Sequence, residues 1–284
     1  MHKSLAFGLA LACGGALAQT PATNLMPDGS RDMYIGLGAN SGPRYDGASE
    51  RRTTALPVLQ VQWSNGIFIS GMTAGMQLSN DAAMEYGPLF GVHGRRTQSG
   101  TSPGFGGVLD TADAASLVPP LAGKTTIYTN RLAGMDDIEA RLLAGGFFNY
   151  YLAPRVRLTN SALYGAGNDH KGLSWVTDLQ YSANAAPHHT LALSGGVTLV
   201  NQAYNQAFFG VTAQETLHGP NRFYTPSGGL KDVHAGVRWN WTFSPSWMLT
   251  SSLRVARLAG DAKDSPLVER PTNVTVSTAL AYRF

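Results

Sequence analysis

Apolar and polar side chains alternate along the last residues of the chain, up to its final position. In the segment TVSTALAYRF one face carries Val274, Val276, Leu280, Tyr282 and Phe284, and the other carries small or polar side chains. Because successive side chains of a β-strand point to opposite faces, this period of two predicts a strand with one apolar side. Chain ends of soluble domains are usually frayed and polar. The class of protein therefore depends on what this apolar side contacts.

The same alternation recurs in the segments GLSWVTDLQYS, GGLKDVHAGVRWNWTF and SWMLTSSLRVARL. The polar faces carry charged side chains, and on this register we expect the following to point inward: Glu139, Arg141, Arg157, Asp178, Arg238 and Arg254. His234 lies on a polar face near Arg238 and Asn240, which indicates a hydrogen-bond network rather than a catalytic base. Alternation alone fits either a secreted β-sandwich or a membrane β-barrel.

Three features favour the barrel. Aromatic residues such as Trp175 and Tyr181 stand at the ends of the apolar faces, as in the interfacial girdles of membrane proteins. Strands of about 12 residues, tilted by about 40°, span on the order of 30 Å. Leu280, Tyr282 and Phe284 match the terminal aromatic signal by which outer-membrane barrels are recognised for assembly. We therefore predict an all-β fold, a transmembrane antiparallel β-barrel.

The N-terminus predicts export. Lys3, an apolar run from Leu5 to Ala16 and the small-x-small sequence ending at Ala18 are typical of a signal peptide over residues 1–18, followed by a barrel domain over 19–284. The single cysteine, Cys13, lies in the signal, so we expect no disulfide, thiol catalysis or cysteine metal site in the mature chain. A charged fraction of 14% is low against about 25% for soluble domains, and a net charge of +3 does not indicate nucleic-acid binding.

The connections between strands fall into a short and a long class. Short turns are predicted at 64–66, 153–155, 184–189 and 244–246, and long ones at 41–53, 97–135, 202–228 and 259–272. Barrels place short turns in the periplasm and long loops outside, and ten strands put all four short turns on the periplasmic side. Two further candidates, Met84–Arg95 and Ala207–Thr212, make twelve strands, which places the turns at Pro154 and Pro187 outside. Both even numbers stay open.

Several spaced blocks follow one another along nearly the whole mature chain, namely YIGLGANSGPRYDGASERRTTALPVLQ, LAGMDDIEA, NQAYNQAFFGVT, GGLKDVHAGVRWNWTFSPSWMLT, RLAGDAKDSPLVE and LAYRF. In this order they resemble the MipA/OmpV family of outer-membrane proteins. The stretch before LAGMDDIEA is longer than is usual in the family. The resemblance implies an outer-membrane barrel without catalytic residues. It also implies a scaffold that joins a lytic murein transglycosylase to a penicillin-binding protein, although other members are discussed as porin-like or adhesive.

Motifs for a bound metal or for catalysis are weak. Asp261, Asp264 and Glu269 could hold a divalent cation, but their spacing matches no EF-hand and turn formation is the simpler interpretation. His188 and His189 are interpreted as solvated turn residues. No G-x-S-x-G nucleophile motif occurs, so we predict neither an enzyme nor a cofactor.

The inward charges have two interpretations. They could line a selective pore, or they could fill a narrow barrel with ion pairs, which is the interpretation we favour at this strand number. Arg44, Arg51 and Arg52 could bind lipopolysaccharide phosphates, or belong to an ordinary solvated loop. The leading hypothesis is a non-enzymatic outer-membrane scaffold for peptidoglycan synthesis and hydrolysis enzymes. The alternatives are a narrow porin-like channel and a surface adhesin.

Overall fold

A computed structural model describes residues 31–79, 81, 83–102 and 131–284. The predicted signal peptide with Cys13, the segment 19–30 and most of the predicted connection 97–135 lie outside these residues. No helix in the described part is long and apolar enough to cross a membrane.

The described chain is almost entirely β-structure. In chain order the strands are β1 Arg31–Pro43, β2 Arg51–Trp63, β3 Ile67–Ser70, β4 Thr73–Met76, β5 Met84–His93, β6 Arg96–Thr97, β7 Gly100–Thr101, β8 Arg141–Ala153, β9 Val156–Ala166, β10 Gly172–Ala186, β11 His189–Val200, β12 Gly229–Ser244, β13 Trp247–Leu258 and β14 Thr272–Arg283. The helices are α1 Gln202–Phe209, α2 Glu215–His218 and α3 Gly260–Lys263.

Twelve antiparallel strands close into one barrel, in which every strand pairs with its neighbours along the chain and β1 pairs with β14. Strands β6 and β7 form a separate two-stranded sheet. Closure leaves no open sheet edge to meet lipid, which is the condition for spanning a bilayer with strands. The predicted all-β barrel with an even strand number is confirmed.

The two faces of the wall follow the alternation seen in the sequence. Large apolar side chains stand exposed on the outside, such as Leu37 at 72% and Leu142 at 80%. Residues between them point inward, so that in β14 the buried Ala279 and Ala281 alternate with the exposed Leu280 and Tyr282. The apolar face of TVSTALAYRF is therefore part of the outer surface of the barrel, where a bilayer supplies the apolar surroundings.

Twelve is one of the two predicted strand numbers, but only one of the two additional predicted strands is present. Met84–Arg95 corresponds to β5, and the other additional strand lies elsewhere in the chain. Segment 67–76 forms a short hairpin, β3 and β4, turning at Gly71, whose φ of 55° suits a residue without a Cβ. Because β4 is antiparallel to both β3 and β5, β5 runs in the same direction as β3. The predicted strand Ala207–Thr212 is wrong, because α1 covers its first half and Val211 makes a single bridge to Tyr224.

The barrel has two unlike ends. The turn end carries both chain termini of the barrel and the tight turns at 64–66, 154–155, 187–188 and 245–246. The prediction that twelve strands would move the turns at Pro154 and Pro187 to the other side is therefore wrong. The loop end carries the long connections, with all three helices. By the usual orientation of such barrels the turn end faces the periplasm.

A cap of packed loops covers the loop end. Its apolar core joins four connections through Tyr45, Leu132, Met135, Val211 and Leu267. A second small core, Phe209, Leu258 and Ala262, attaches α1 and α3 to the end of β13. The long loops are therefore an ordered layer over the barrel mouth within the described residues.

Candidate functional site

Buried charges occupy the lumen near the loop end. His234 is 4% exposed, and its Nδ1 and Nε2 lie 2.8 Å from carboxylate oxygens of Asp232 and Asp178. A neutral imidazole has a single N–H, so both contacts are hydrogen bonds only when both ring nitrogens carry protons. Asp232 also accepts from Thr198 Oγ1 at 3.1 Å, and Lys231 Nζ lies 3.3 Å from it. The predicted hydrogen-bond network around His234 is confirmed.

The register of three strands assembles this network. Asp178 of β10 and His234 of β12 stand at the same height on either side of Gly196 of β11. A Cβ on Gly196 would lie 2.5 Å from Asp178 Oδ1. The glycine therefore leaves the space through which the carboxylate reaches the imidazole across one strand.

A second polar cluster lies in the lumen near the turn end. Glu85 accepts hydrogen bonds from Asn149 Nδ2 at 3.0 Å and Tyr151 Oη at 2.8 Å, and Arg157 lies 3.8 Å from its carboxylate. Arg157 also donates to Gln180 at 2.7 Å and lies over the Tyr151 ring. Sequence reasoning missed Glu85, because its partners stand on other strands.

A buried apolar group also lies in the turn-end half, on the side of the barrel opposite Glu85. Val58, Met248, Ala279 and Ala281 pack together, with Tyr34 against them. They come from β2, β13, β14 and β1, which are neighbours in the wall. Buried side chains therefore project into the turn-end half of the lumen from both sides of the wall, the apolar group on one side and the Glu85–Arg157 cluster on the other.

The remaining predicted lumen charges are placed as follows. Glu139 precedes β8 in the loop region and is exposed, 3.5 Å from Arg95, so it does not point into the barrel as expected. Arg141 begins β8 and its Nε is buried without a hydrogen-bond partner in the described part. Arg238 and Arg254 sit on the inward faces of β12 and β13. Whether any of these charges selects solutes stays a prediction.

The acidic group of the last long loop holds the cap together. Asp261 accepts from the backbone N–H of Ser227 at 2.7 Å, and Glu269 accepts from Tyr45 Oη at 2.9 Å and from Ser49. Asp264 is exposed, 3.6 Å from Lys263. Among the described residues no three His, Cys, Asp or Glu side chains gather as a metal site. The geometry of Asp261 and Glu269 is that of loop contacts.

Burial shifts the pKa of Arg96 and of Tyr45 in the cap. Burial lowers the pKa of the Arg96 guanidinium to about 10, against the opposing effect of Glu215 and Asp137. Its Nη1 donates to the Phe208 carbonyl at 2.9 Å, which attaches α1 to the small sheet. Burial, followed by the hydrogen bond to Glu269, raises the pKa of the Tyr45 hydroxyl above its ordinary value. Both groups keep their protons at neutral pH and act as donors.

The three arginines of the first loop point in different directions. Arg44 is buried and pairs with Glu50. Arg51 is exposed and donates to backbone carbonyls of Val274 and Ser41. Arg52 lies on the inward face of β2 beside the cavity of the loop half. They do not form one surface for lipopolysaccharide phosphates.

An aromatic girdle surrounds the turn end. The Trp247 and Tyr282 rings meet edge to face with centroids 5.1 Å apart, and the Tyr282 and Phe284 rings stack with centroids 6.5 Å apart. On the neighbouring strands the His189 ring stacks with those of Trp239 and Trp241, and Trp239 Nε1 donates to His189 Nδ1 at 3.2 Å. His189 is therefore a girdle residue, not a solvated turn residue. Only the cross-strand pairing of His189 with Trp241 could have revealed this.

Deleting Phe284 is expected to lower the amount of folded barrel in the outer membrane without lowering synthesis. The Phe284 N–H donates to Met33 O at 3.1 Å and its ring extends the girdle, so the deletion removes the end of the closing strand pair and the predicted assembly signal. The heat-modifiable gel shift measures the folded fraction. Replacing Leu217, an exposed cap residue, by alanine serves as the control. An unchanged folded fraction in the deletion variant would remove the signal role from Phe284.

Comparison with known proteins identifies the family. The sequence model of the family described as MltA-interacting protein MipA matches residues 35–284. The chain belongs to the MipA family. This confirms the resemblance, and with the closed barrel it makes the MipA-family chain an outer-membrane β-barrel protein.

Two curated relatives agree with this placement. The MipA-family chain is 22% identical to the MltA-interacting protein of Escherichia coli (strain K12) over 158 residues, 55% of this chain and 61% of that protein. The match therefore spans less than two thirds of that relative. It is 24% identical to outer membrane protein Omp26La of Vibrio anguillarum over 239 residues, 78% of this chain and 87% of that protein. Neither name is that of an enzyme.

Solved structures of other barrels are only distantly similar to the MipA-family chain. The translocator domain of the autotransporter NalP from Neisseria meningitidis has a TM-score of 0.48 at 10% identity, covering 93% of this chain and 92% of that one. An outer membrane channel from Pseudomonas putida F1 has a TM-score of 0.42 at 15% identity, covering 93% and 98%. Likeness at this level does not bear on transport.

Proposed function

We propose that this MipA-family protein is a non-enzymatic, non-conducting barrel that docks a lytic murein transglycosylase at its periplasmic end. The observation that carries the proposal is the occupation of the turn-end half of the lumen by buried side chains. A conducting pore needs a continuous aqueous path, whereas here buried side chains enter the turn-end half from both sides, with Val58 and Met248 on one side and Glu85 and Arg157 on the other. The cap covers the opposite mouth. These features favour a docking protein over a channel.

The choice of partner rests on the family. The relative from Escherichia coli is named for its interaction with MltA, which motivates a murein transglycosylase as the partner of this chain. Murein enzymes work beneath the outer membrane, so such a partner would contact the turn end. A penicillin-binding protein as a second partner and lipopolysaccharide as a ligand stay predictions.

The turn end offers exposed tips rather than one large surface. The exposed residues of the four tight turns are Asn65, Pro154, Arg155, Pro187, His188 and Pro245. A stable interface buries on the order of 1,200 Å² in total, more than one two-residue turn supplies. Contact must therefore extend over several turns, and residues 19–30, which precede β1, are a further candidate for added area.

Reversing charge at the turn end is expected to weaken capture of the transglycosylase. The double variant Arg155→Glu/His188→Glu places two carboxylates on adjacent turns, and we expect about fivefold lower capture because charge at an interface controls encounter. Lys263→Glu at the loop end, which is also exposed, is the matched control. Folded protein is quantified by the gel shift, and capture by pull-down with purified transglycosylase.

The channel alternative predicts the opposite pair of results. Purified wild-type protein in planar bilayers should show no steady conductance if the lumen is filled as described. Steady conductance together with capture that is equal in the turn-end variant and the Lys263→Glu control would reject docking at this end and support a channel.

A further inference from the structure

A cavity in the loop half of the lumen is the strongest unassigned feature of the molecule. Its volume is about 400 Å³, within the range of small-molecule sites. Its described lining comes from the loop-end halves of the strands, from the first loop and from α1. Toward the turn end, buried side chains from both sides of the wall, such as Met248 and Arg157, project into the lumen beneath it, so we treat it as a chamber rather than as part of an open pore. We infer that this chamber binds a small anionic sugar.

Positive charge predominates in the described lining. Five basic side chains border the chamber, namely Arg44, Arg52, Arg96, Lys231 and Arg254. Two carboxylates, Asp46 and Asp232, border it as well, and both lie within 3.3 Å of Lys231 Nζ. The excess of positive charge excludes a cation as the preferred occupant and favours an anion.

Arg52 is the basic residue best placed to hold that anion. It makes no hydrogen bond or ion pair with any residue in the described part of the chain, although its side chain is half-buried. Its guanidinium presents donors in a planar fork that matches carboxylate and phosphate oxygens. An arginine kept in a lumen without a protein partner is suited to a ligand that supplies the negative charge.

The register places a second arginine on the same row. Arg52 of β2 pairs with Gly42 of β1, and Arg254 of β13 pairs with Thr275 of β14. Gly42 and Thr275 are themselves adjacent, since a Cβ on Gly42 would lie 3.1 Å from Thr275 Oγ1. Only the two small residues Gly42 and Thr275 therefore stand between Arg52 and Arg254 in this row. Their small side chains leave space on the inner face of the wall between the two arginines.

The rest of the lining is suited to a hydroxylated ring. Hydroxyl and amide groups face the chamber on several strands, among them Asn40, Thr54, Ser161, Ser174 and Thr275. They can donate to and accept from sugar hydroxyls. Tyr204 and Phe208 of α1, with centroids 4.5 Å apart, supply aromatic surface on the cap side. A purely apolar solute would leave the polar walls without partners, which costs binding energy.

Calorimetric titration of the purified full-length barrel tests the inference with three probes of one ring type. Glucuronate carries a carboxylate, glucose 6-phosphate carries a phosphate, and glucose carries neither. We expect one of the two anionic sugars to bind at least about tenfold more tightly than glucose, because charged hydrogen bonds are the stronger ones. The tighter anionic probe identifies the charged group. Inorganic phosphate alone is expected to bind more weakly than the tighter sugar.

Two variants separate the site from general effects. Arg52→Gln should weaken the preferred anionic sugar by about tenfold. Arg51→Gln, one residue away on the opposite face of β2, should leave its affinity within about twofold. Equal binding of glucose and both anionic sugars, no binding of any sugar, or equal affinities in the two variants would overturn the inference. Inorganic phosphate that binds as tightly as the tighter of the two anionic sugars would do the same. The outcome is independent of transglycosylase docking, so the two proposals can fail separately.

Discussion

Replacing His234 by alanine is expected to destabilise the folded barrel by about 3 kcal/mol, near the lower end of the cost of breaking a buried ion pair. The imidazole separates Asp178 from Asp232, and each carboxylate lies 2.8 Å from one of its nitrogens. Without it Asp178 loses its only described ion-pair partner in the lumen. Lys231 still compensates Asp232 at 3.3 Å, which is why we place the cost near 3 kcal/mol rather than higher.

The measurement is reversible urea unfolding in lipid vesicles, followed by tryptophan fluorescence and by the gel shift. Val233→Ala is the matched control, because Val233 is adjacent in sequence but 48% exposed on the outer face. A smaller destabilisation is expected for this control. If His234→Ala and Val233→Ala lower the free energy of unfolding equally, the carboxylate–imidazole network does not stabilise the barrel.

The barrel itself could be predicted because its signal is local. A period of two over about twelve residues can be recognised without knowing which residues are in contact in the fold. The aromatic end of β14 can likewise be recognised from the last ten residues, TVSTALAYRF. The inward placement of residues on β9, β10, β12 and β13 follows from the same alternation. A register error of one residue would have inverted every face.

The second short strand pair could not be predicted in the same way. Segment 67–76 alternates well enough to be interpreted as one strand, and the turn depends on Gly71 donating to Leu59 O on β2. Likewise, a strand is predicted over Ala207–Thr212, yet Asn201 accepts from the Tyr204 N–H and starts the helix that covers the first half of that segment. In both segments a contact with a distant strand or a capping side chain outweighs local pattern.

The hydrogen-bond and ion-pair partners of the lumen residues could not be predicted from the local sequence pattern either. Asp178 and His234 are 56 positions apart in sequence and meet only because Gly196 opens the strand between them. The alternation predicts an inward Glu139 only if it continues before Arg141, where β8 in fact begins. The residue at which a strand ends depends on how the adjoining loop packs in the cap, and the alternation within the strand does not show this.

Placing arginine on the lipid-facing side of the wall is expected to cost about 2–4 kcal/mol near the bilayer midplane. Leu253 is suited to this test, because it stands in the middle of β13, is 41% exposed and pairs with Val237 and Val276. Trp239 is less suited, because its ring stacks on His189 close to the turn end, where the cost of a charge falls.

The comparison of Leu253→Arg with Leu253→Ala isolates the cost of the charge from the loss of the leucine. Both variants are unfolded in urea from vesicles of one lipid composition, and the difference in the free energy of unfolding is the quantity of interest. A cysteine at position 253 should also react with a lipid-phase reagent, whereas one at position 252, on the face where Ser252 bonds Ser277 at 2.7 Å, should be spared. Labelling of position 252 in preference to 253, with arginine tolerated at 253, would show that the faces of β13 are reversed, and the lumen networks derived from that register would then be wrong as well.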